Sequence, residues 1–290
     1  TITSRNLGAV SSTWYGMYFY YYHNVNSITG NKIKSTNTGI GSPYGIYIHY
    51  YFNYTGAVGS GLITNNEIIL RTTETTHGIY LSTPNSNPQF LHNSVYMYGT
   101  GNNNGLYLTG TSTSYSPVVK NNNFISDAGV SAYPIYYNGS SNYPFYTVDN
   151  NNYYSTGDNV GFASAAQTTL AGLRAATLQD ANSVSTNPYL YDYPNSLKVY
   201  GFDFSAPRLN NVLVDIENVV RSRNTSMGCY EFIPTLALDI QPYEVVSPSD
   251  IVSVGKTELV SIYLKNVGTD TITSAVINWW HNGVAQSLVT

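Results

Sequence analysis

Four neighbouring side chains carry the groups that acid–base chemistry needs. Glu67 and Glu74 are carboxylates, Arg71 is a guanidinium and His77 is an imidazole. If one strand runs through Glu67, Ile69 and Arg71, the alternation of side chains places all three on one outward face. A carboxylate beside a guanidinium could then act as acid and base on an acidic sugar. A solvated ion pair on a strand, contributing about 0–1 kcal/mol, explains the same pattern.

Other catalytic or metal-binding chemistry has little support in the sequence. Calcium needs six to eight oxygen ligands, yet the acidic residues before residue 160 do not cluster: Glu67, Glu74, Asp127, Asp149 and Asp158. Four more histidines are scattered, without the spacing of metal ligands: His23, His49, His92 and His281. The single cysteine, Cys229, is predicted to be a small buried residue. We therefore expect neither a metal nor a cofactor.

Tyrosine offers a different kind of site, because the chain has 29 tyrosines and only 10% charged residues. Five tyrosines recur at one position of a repeated pattern and face outward by alternation: Tyr18, Tyr47, Tyr80, Tyr107 and Tyr136. Aromatic side chains beside hydroxyl and amide groups suit sugar rings, so this column is a candidate carbohydrate-binding surface. The same column could instead stabilise the sheet by mutual stacking. It could also pack on another domain or chain.

An internal repeat positions these residues. An asparagine element is followed 12 residues later by a glycine or proline element at three places: Asn66 and Gly78, Asn93 and Gly105, Asn122 and Pro134. The steps between the asparagines are 27 and 29 residues. A fixed period of this size indicates a repeat architecture. Five asparagines are predicted to point inward, to occupy a left-handed bend and to form a hydrogen-bonded structural ladder: Asn26, Asn66, Asn93, Asn122 and Asn151.

Short strands of period two, separated by glycine, asparagine and proline, predict a parallel β-helix. Equivalent positions of successive coils would then lie about 4.8 Å apart, so apolar residues stack into inward columns. One predicted column is Ile46, Ile79, Leu106 and Ile135. The other is Ile68, Val95, Phe124 and Tyr153.

The sequence predicts two domains. An all-β helix occupies residues 1–233, with irregular terminal coils and a cap from about residue 160. The alanine- and leucine-rich run 164–178 predicts a short helix with Leu170, Leu173 and Leu178 on one side. Residues 234–290 alternate and carry turn signals, including Asn282-Gly283, which predicts the start of a truncated β-sandwich module. Both ends read as cut, so we expect a piece of a longer chain.

Composition excludes several classes of function. The net charge of −4 argues against a nucleic-acid partner, because that binding depends on a basic surface. No stretch approaches the roughly 18 consecutive apolar residues of a membrane span. A polar, charge-poor repeat with one cysteine is typical of a bacterial secreted protein.

The repeat resembles a known family. Asn-x-hydrophobic followed by Gly-Ile-Tyr-Leu is similar to the right-handed parallel β-helix repeat of the pectin-lyase-like superfamily. The run Gly228-Cys229-Tyr230-Glu231 resembles the end of that domain in large secreted bacterial surface proteins. Residues 239–290, and above all Val260 to Gly268, resemble the first strands of a CARDB-like or immunoglobulin-like adhesion module. The superfamily includes lyases, hydrolases, adhesins and inert stalks, so the resemblance implies architecture more than activity.

The favoured function is a non-catalytic protein of the bacterial cell surface, an adhesin or carbohydrate-binding stalk that uses the side of the helix. Its expected partners are extracellular polysaccharide or other surface and secretion proteins. The alternative is a polysaccharide lyase or glycoside hydrolase, for which Glu67, Arg71, Glu74 and His77 are the catalytic candidates.

Overall fold

The computed structural model describes residues 1–3, 10–23, 25–36, 40–52, 61–82, 87–109, 116–128, 132–139, 147–190, 192–199, 204–232, 237–247, 259–281 and 284–287. The chain divides into two compact units, Thr1–Phe232 and Ile233–Thr290. The first unit is a parallel β-solenoid and the second contains small antiparallel sheets, which confirms the all-β prediction.

Three parallel sheets form the wall of the solenoid, and each turn of the chain passes through sheets 1, 2 and 3 in that order. Sheet 1 contains β1 (Ile2–Thr3), β4 (Lys32–Ser35), β7 (Glu67–Thr72), β10 (Ser94–Gly99), β13 (Asn123–Ala128) and β16 (Asn152–Ser155). Sheet 2 contains β2 (Val10–His23), β5 (Ile40–Phe52), β8 (Thr76–Ser82), β11 (Asn103–Thr109), β14 (Tyr133–Asn138), β17 (Gly161–Ala163) and the antiparallel β18 (Ala165–Gln167). Sheet 3 contains β3 (Ser27–Thr29), β6 (Leu62–Thr64), β9 (Gln89–Leu91), β12 (Val118–Lys120) and β15 (Thr147–Asp149).

Inward apolar columns form one continuous core between the sheets. The strand register confirms both predicted columns, since Ile68, Val95 and Phe124 pair in sheet 1 and Ile79 pairs with Leu106 in sheet 2. Sheet 3 adds a column that the sequence reasoning did not identify: Ile28, Ile63, Phe90, Val119 and Val148. Each fully buried side chain of this size contributes about 1.5–3 kcal/mol, and each coil depends on its neighbours for that burial.

A sharp corner joins sheet 3 to sheet 1 in every described coil. One residue of the corner has a positive φ: Gly30, Asn65, His92, Asn121 and Asn150, with φ between 53° and 68°. Glycine and asparagine tolerate this left-handed backbone best. The ladder asparagine is the residue that follows the corner, so the prediction that it occupies the left-handed bend was wrong by one residue.

The inward asparagines form a continuous hydrogen-bonded ladder. The Nδ2 atom of Asn66 donates to Oδ1 of Asn93 at 2.9 Å, and the next two steps, to Asn122 and Asn151, measure 3.0 and 2.9 Å. Each of these Nδ2 atoms also donates to a main-chain carbonyl of sheet 3, as Asn93 does to Ile63 at 2.8 Å. Both polar ends of the buried amides are therefore satisfied.

The first member of the ladder differs from the prediction. Asn31 donates from Nδ2 to Oδ1 of Asn66 at 2.9 Å, and Ile33 pairs with Ile68. Asn26 lies five residues earlier, just before β3 and outside the column. The Asn-x-Ile pattern occurs at both positions, and only the strand register distinguishes them.

Glycines allow sheets 1 and 2 to approach closely. A Cβ atom built on Gly78 would overlap Cγ1 of Val95 and lie 2.7 Å from the carbonyl oxygen of Gly105. A Cβ atom on Gly105 would lie 2.5 Å from the carbonyl oxygen of Pro134. No side chain fits between these backbones, which explains why glycine recurs at this position.

One end of the solenoid is closed by β17, β18 and helix α1 (Leu170–Thr177). Thr169 caps the helix by accepting from the backbone N–H of Gly172 at 3.1 Å. Leu173 is buried in the core and Leu170 packs against it. Leu178 differs from the prediction, because it is the left-handed C-cap and is 76% exposed. With eight residues, α1 is far too short to cross a bilayer. No helix in the described part of the chain is long and apolar enough to do so.

The described residues between 184 and 232, here called the return segment, run along the corner between sheets 3 and 1. This segment includes β19 (Ser205–Pro207) and β20 (Asn224–Ser226), which pair antiparallel. Its backbone reaches successive coils: the N–H of Gly228 donates to the carbonyl of Asn121 at 2.7 Å, and that of Cys229 to Oγ of Ser94 at 3.0 Å. The sequence predicts irregular coils and a cap from about residue 160, and this segment lies along the side of the array.

The described residues of the second unit form two antiparallel strand pairs. β21 (Ile240–Ser247) pairs antiparallel with β22 (Ser261–Asn266), and β23 (Trp280–His281) with β24 (Val284–Ala285). These sheets are only loosely consistent with a partial sandwich. The predicted Asn282-Gly283 turn and the predicted boundary after residue 233 lie outside the described residues.

Candidate functional site

The outward surface of sheet 2, here called the tyrosine face, gathers the predicted tyrosines into one column. Strand register places Tyr18 beside Tyr47, and Tyr80 beside Tyr107. Their ring centroids follow at 5.0 Å (Tyr18–Tyr47), 4.7 Å (Tyr47–Tyr80), 5.1 Å (Tyr80–Tyr107) and 4.9 Å (Tyr107–Tyr136). Phe162 extends the column, 4.3 Å from Tyr136. The sequence reasoning missed Phe162, although Gly161-Phe162 repeats the glycine element in shortened form.

The stacking decides which part of each ring is offered to a ligand. The planes of Tyr47, Tyr80 and Tyr107 lie within 10° of one another along the column. Neighbouring rings therefore face one another along the column, and their edges and hydroxyl groups point outward. Tyr18, at one end of the described column, is half exposed.

Polar side chains flank the column on its C-terminal side. They follow the central tyrosine of each strand by two residues: Tyr20, His49, Ser82, Thr109 and Asn138. Nδ2 of Asn138 donates to the hydroxyl of Tyr107 at 2.7 Å. Tyr20 stacks on His49 at 4.8 Å, and burial lowers the pKa of His49.

A second flanking column was not predicted. It consists of Tyr15, Tyr44, His77, Asn104 and Tyr133, which precede the central tyrosines by three residues. The two columns are three residues apart, whereas simple alternation would place every second side chain on this face. The glycine or proline element between the columns interrupts that alternation. The recurrence of an aromatic or polar residue directly before each glycine was the available signal.

His77 is the centre of a shallow depression in the tyrosine face. The depression measures about 300 Å³ and is lined by Thr75, His77, Asn102, Asn104, Tyr107, Tyr133 and Tyr136. Nδ1 of His77 lies 2.9 Å from Nδ2 of Asn104, and its ring is 4.4 Å from that of Tyr107. Burial lowers the pKa of His77 to about 3, so the imidazole is neutral and Nδ1 accepts from the amide.

Four described side chains of the tyrosine face are neutral at neutral pH. Burial, with the neighbouring hydroxyls adding to it, raises the pKa of Tyr47, and burial also raises the pKa of Tyr107. Burial lowers the pKa of His49 and of His77. These phenols and imidazoles can therefore donate and accept hydrogen bonds as uncharged groups.

The four catalytic candidates are spread over two sheets and the turn between them. Glu67 and Arg71 lie on β7 in sheet 1, Glu74 lies in the following turn, and His77 lies on β8 in sheet 2. The return segment covers Glu67, whose Oε2 accepts from the backbone N–H of Leu197 at 2.8 Å. Glu74 is exposed and accepts from Oγ of Ser42 at 3.2 Å. In the described residues, no three His, Cys, Asp or Glu side chains are placed to hold a metal ion.

Comparison with known proteins adds no relative. No protein-family model matches the chain, and neither a curated protein nor a solved structure matches it. Functional inference therefore depends on the chemistry of the tyrosine face and on the fold.

Proposed function

We propose that the tyrosine face binds a linear polysaccharide, and that the protein is a non-catalytic adhesin or carbohydrate-binding stalk. The observation that carries this proposal is the periodic column of stacked tyrosines, with centroid spacings of 4.7–5.1 Å. A row of phenol hydroxyls at a constant spacing suits a polymer whose own hydroxyls recur regularly.

The surroundings of the column support the same ligand class. Thr109 and Asn138 offer hydroxyl and amide groups on one side, and His77 and Asn104 line the depression on the other. Sugars are neutral and rich in hydroxyls, so an uncharged surface of donors and acceptors matches them. The ring edges supply apolar contact between those polar rows.

The biological setting of the proposal comes from the resemblance noted in the sequence. A right-handed β-helix of the pectin-lyase-like type, followed by a CARDB-like or immunoglobulin-like module, is an arrangement of secreted bacterial surface proteins. We accordingly propose a location at the bacterial cell surface, with extracellular polysaccharide or another surface or secretion protein as the partner.

A glycan array tests the proposal directly. The double variant Tyr80→Ala/Tyr107→Ala removes two rings and should abolish binding to the preferred glycan. Tyr80→Phe/Tyr107→Phe keeps the stacked rings and removes only the two hydroxyl groups. Each hydrogen bond lost with a hydroxyl costs roughly 0.5–1.5 kcal/mol, so the affinity for the glycan should fall about tenfold or more.

The control for this experiment is Tyr263→Ala, which removes a 59% exposed tyrosine from the second unit. Affinity should also rise with oligosaccharide length, because a longer chain reaches more of the column. Unchanged binding by both double variants would exclude the tyrosine face as the binding surface.

A further inference from the structure

A second pocket lies on another side of the solenoid, between the outward surface of sheet 1 and the return segment. Its volume is about 250 Å³. Tyr96 and Tyr154 stand on the sheet, and Tyr193 reaches over from the return segment. We call it the Asp127 pocket, because Asp127 supplies its only carboxylate among the lining residues.

An isoleucine separates the two tyrosines of the sheet. Strand register runs from Tyr96 to Ile125 to Tyr154, so the two tyrosines lie two strands apart. At the usual strand spacing the backbones of the two tyrosines lie roughly 9.6 Å apart, with the smaller side chain of Ile125 between them. Tyr96 leans toward Asp127, to which its hydroxyl donates, and the volume of about 250 Å³ is enough for a small, roughly spherical group.

Aromatic contacts hold the pocket walls in place. Tyr98 stacks behind Tyr96 with centroids 5.5 Å apart, and Tyr193 meets the ring of Tyr96 edge-on at 4.9 Å. Pro188 and Leu190 line the side formed by the return segment. The walls are therefore rings and aliphatic groups, which suit methyl groups.

Asp127 brings a negative charge without a counter-ion. Its Oδ2 accepts from the hydroxyl of Tyr96 at 2.8 Å and its Oδ1 from Oγ1 of Thr156 at 2.7 Å. In the described parts of the chain the ion pairs are Lys198–Glu217 and Arg221–Glu231, and neither involves Asp127. Both oxygens already accept a hydrogen bond. The carboxylate would therefore attract a ligand mainly through its negative charge and less as a hydrogen-bond acceptor.

The tyrosines of the pocket remain protonated at neutral pH. Burial and the neighbouring carboxylate raise the pKa of Tyr96, and burial raises the pKa of Tyr193 to about 12. Their rings are therefore neutral phenols, and the pocket carries one net negative charge.

We propose that the Asp127 pocket binds a quaternary ammonium group. Such a cation needs no hydrogen-bond acceptor, is roughly spherical, and is attracted both to aromatic rings and to a nearby carboxylate. Its methyl groups would contact Ile125, Pro188 and Leu190, and its charge would be balanced by Asp127. This site is separate from the tyrosine face and does not depend on the polysaccharide proposal.

Titration calorimetry of the whole chain with choline tests the inference without any mutation. The matched probe is 3,3-dimethylbutan-1-ol, which has the same shape as choline but no charge. We expect choline to bind at least about tenfold more tightly than the neutral alcohol. Equal affinity for the two compounds would overturn the proposal, as would binding of free monosaccharides in preference to choline.

Three variants within the pocket and one control outside it assign the binding to the pocket. Asp127→Asn removes the charge and Tyr154→Leu removes a ring, and each should weaken choline binding about tenfold or more. Tyr154→Phe keeps the ring and should bind choline within about twofold of the unchanged protein. Asp149→Asn removes the same charge from sheet 3, and a loss equal to that of Asp127→Asn would overturn the assignment.

Discussion

At the scale of single residues, His92 shows how one position serves both corner geometry and packing. It occupies the left-handed corner that asparagine or glycine occupies in the other coils, with φ of 54°. Its Nδ1 lies 3.3 Å from the carbonyl of Gly228, and its Nε2 lies 3.1 Å from Nδ2 of Asn121. The carbonyl requires a proton on Nδ1, so Nε2 is the acceptor and the ring is neutral.

This neutral ring predicts a pH dependence of stability. Burial, with the positive charge of Arg221 adding to it, lowers the pKa of His92 well below its usual range. Above the unfolded pKa of about 6.5 both states are neutral, and below it only the unfolded state gains the proton. The free energy of unfolding should therefore fall as the pH drops below about 6.5, by up to about 1.4 kcal/mol per pH unit for this histidine.

The variant that isolates this effect is His92→Asn, because asparagine occupies the same corner in three other coils. Urea unfolding between pH 7 and pH 5 should show a shallower pH dependence in the variant. His77, whose pKa burial lowers to about 3, should keep its own slope. An identical pH dependence in the two proteins would mean that His92 does not titrate in this way.

At the scale of elements, the columns explain why each strand sits in its register. A shift of one residue would turn every inward side chain of a strand outward. The asparagine ladder adds a polar constraint, because each amide must meet the next one at 2.9–3.0 Å. Apolar residues and amides thus select the same register, and the stacked tyrosines follow from it on the outer surface.

Asn93→Ala should show how much the ladder contributes to the free energy of unfolding. It removes the hydrogen bonds that Oδ1 of Asn93 accepts from the backbone N–H and Nδ2 of Asn66, and those that its Nδ2 donates to Oδ1 of Asn122 and to the carbonyl of Ile63. Nδ2 of Asn66 keeps the carbonyl of Ile28, and Oδ1 of Asn122 keeps the backbone N–H of residue 93, so the backbone N–H of Asn66 is the group that loses its acceptor. At about 0.5–1.5 kcal/mol for each lost hydrogen bond and about 1–3 kcal/mol for the orphaned N–H, we expect a loss of about 3 kcal/mol or more in the free energy of unfolding.

The matched control is Asn26→Ala, which removes the same side chain from an exposed position. Its loss in the free energy of unfolding should be smaller than that of Asn93→Ala, because no amide of the buried ladder loses a partner. Chemical denaturation of both variants measures the difference. Equal losses would contradict the assignment of Asn31, rather than Asn26, as the first member of the ladder.

At the scale of the whole first unit, the return segment covers part of the outward surface of sheet 1. Ile69 and Ser94 point away from the core of the solenoid yet are only 1% exposed. Arg221 anchors the segment: it is fully buried, its Nη2 donates to Oδ1 of Asn65 at 2.7 Å, and its Nη1 lies 3.4 Å from Oε2 of Glu231. A charge buried this deeply is stable only while its partners are present.

Arg221→Gln should loosen the return segment while the solenoid stays folded. Removing one partner of a buried ion pair costs about 3–5 kcal/mol. Hydrogen exchange should accelerate at the amides of residues 204–232, whereas the amides of Asn93 and Asn122 should remain protected. Acceleration spread evenly over both regions would show that the two parts unfold as one unit.

Glu217→Gln provides the control for that experiment. It breaks the ion pair with Lys198, in which the side chains are 27% and 41% exposed. An exposed pair contributes about 0–1 kcal/mol, so exchange in the return segment should change little.

The sequence by itself determined the parallel β-helix, its sheet 1 and sheet 2 core columns and the tyrosine column. Each of these depends on a pattern that recurs in every coil, and a recurring pattern can be aligned without coordinates. The tertiary structure alone decided that Asn31 begins the ladder, that Glu67 is enclosed and that Asp127 lies in a pocket. Glu67 and Leu197 meet although 130 residues separate them. The return segment is not periodic, so only its packing against sheet 1 reveals which residues it covers.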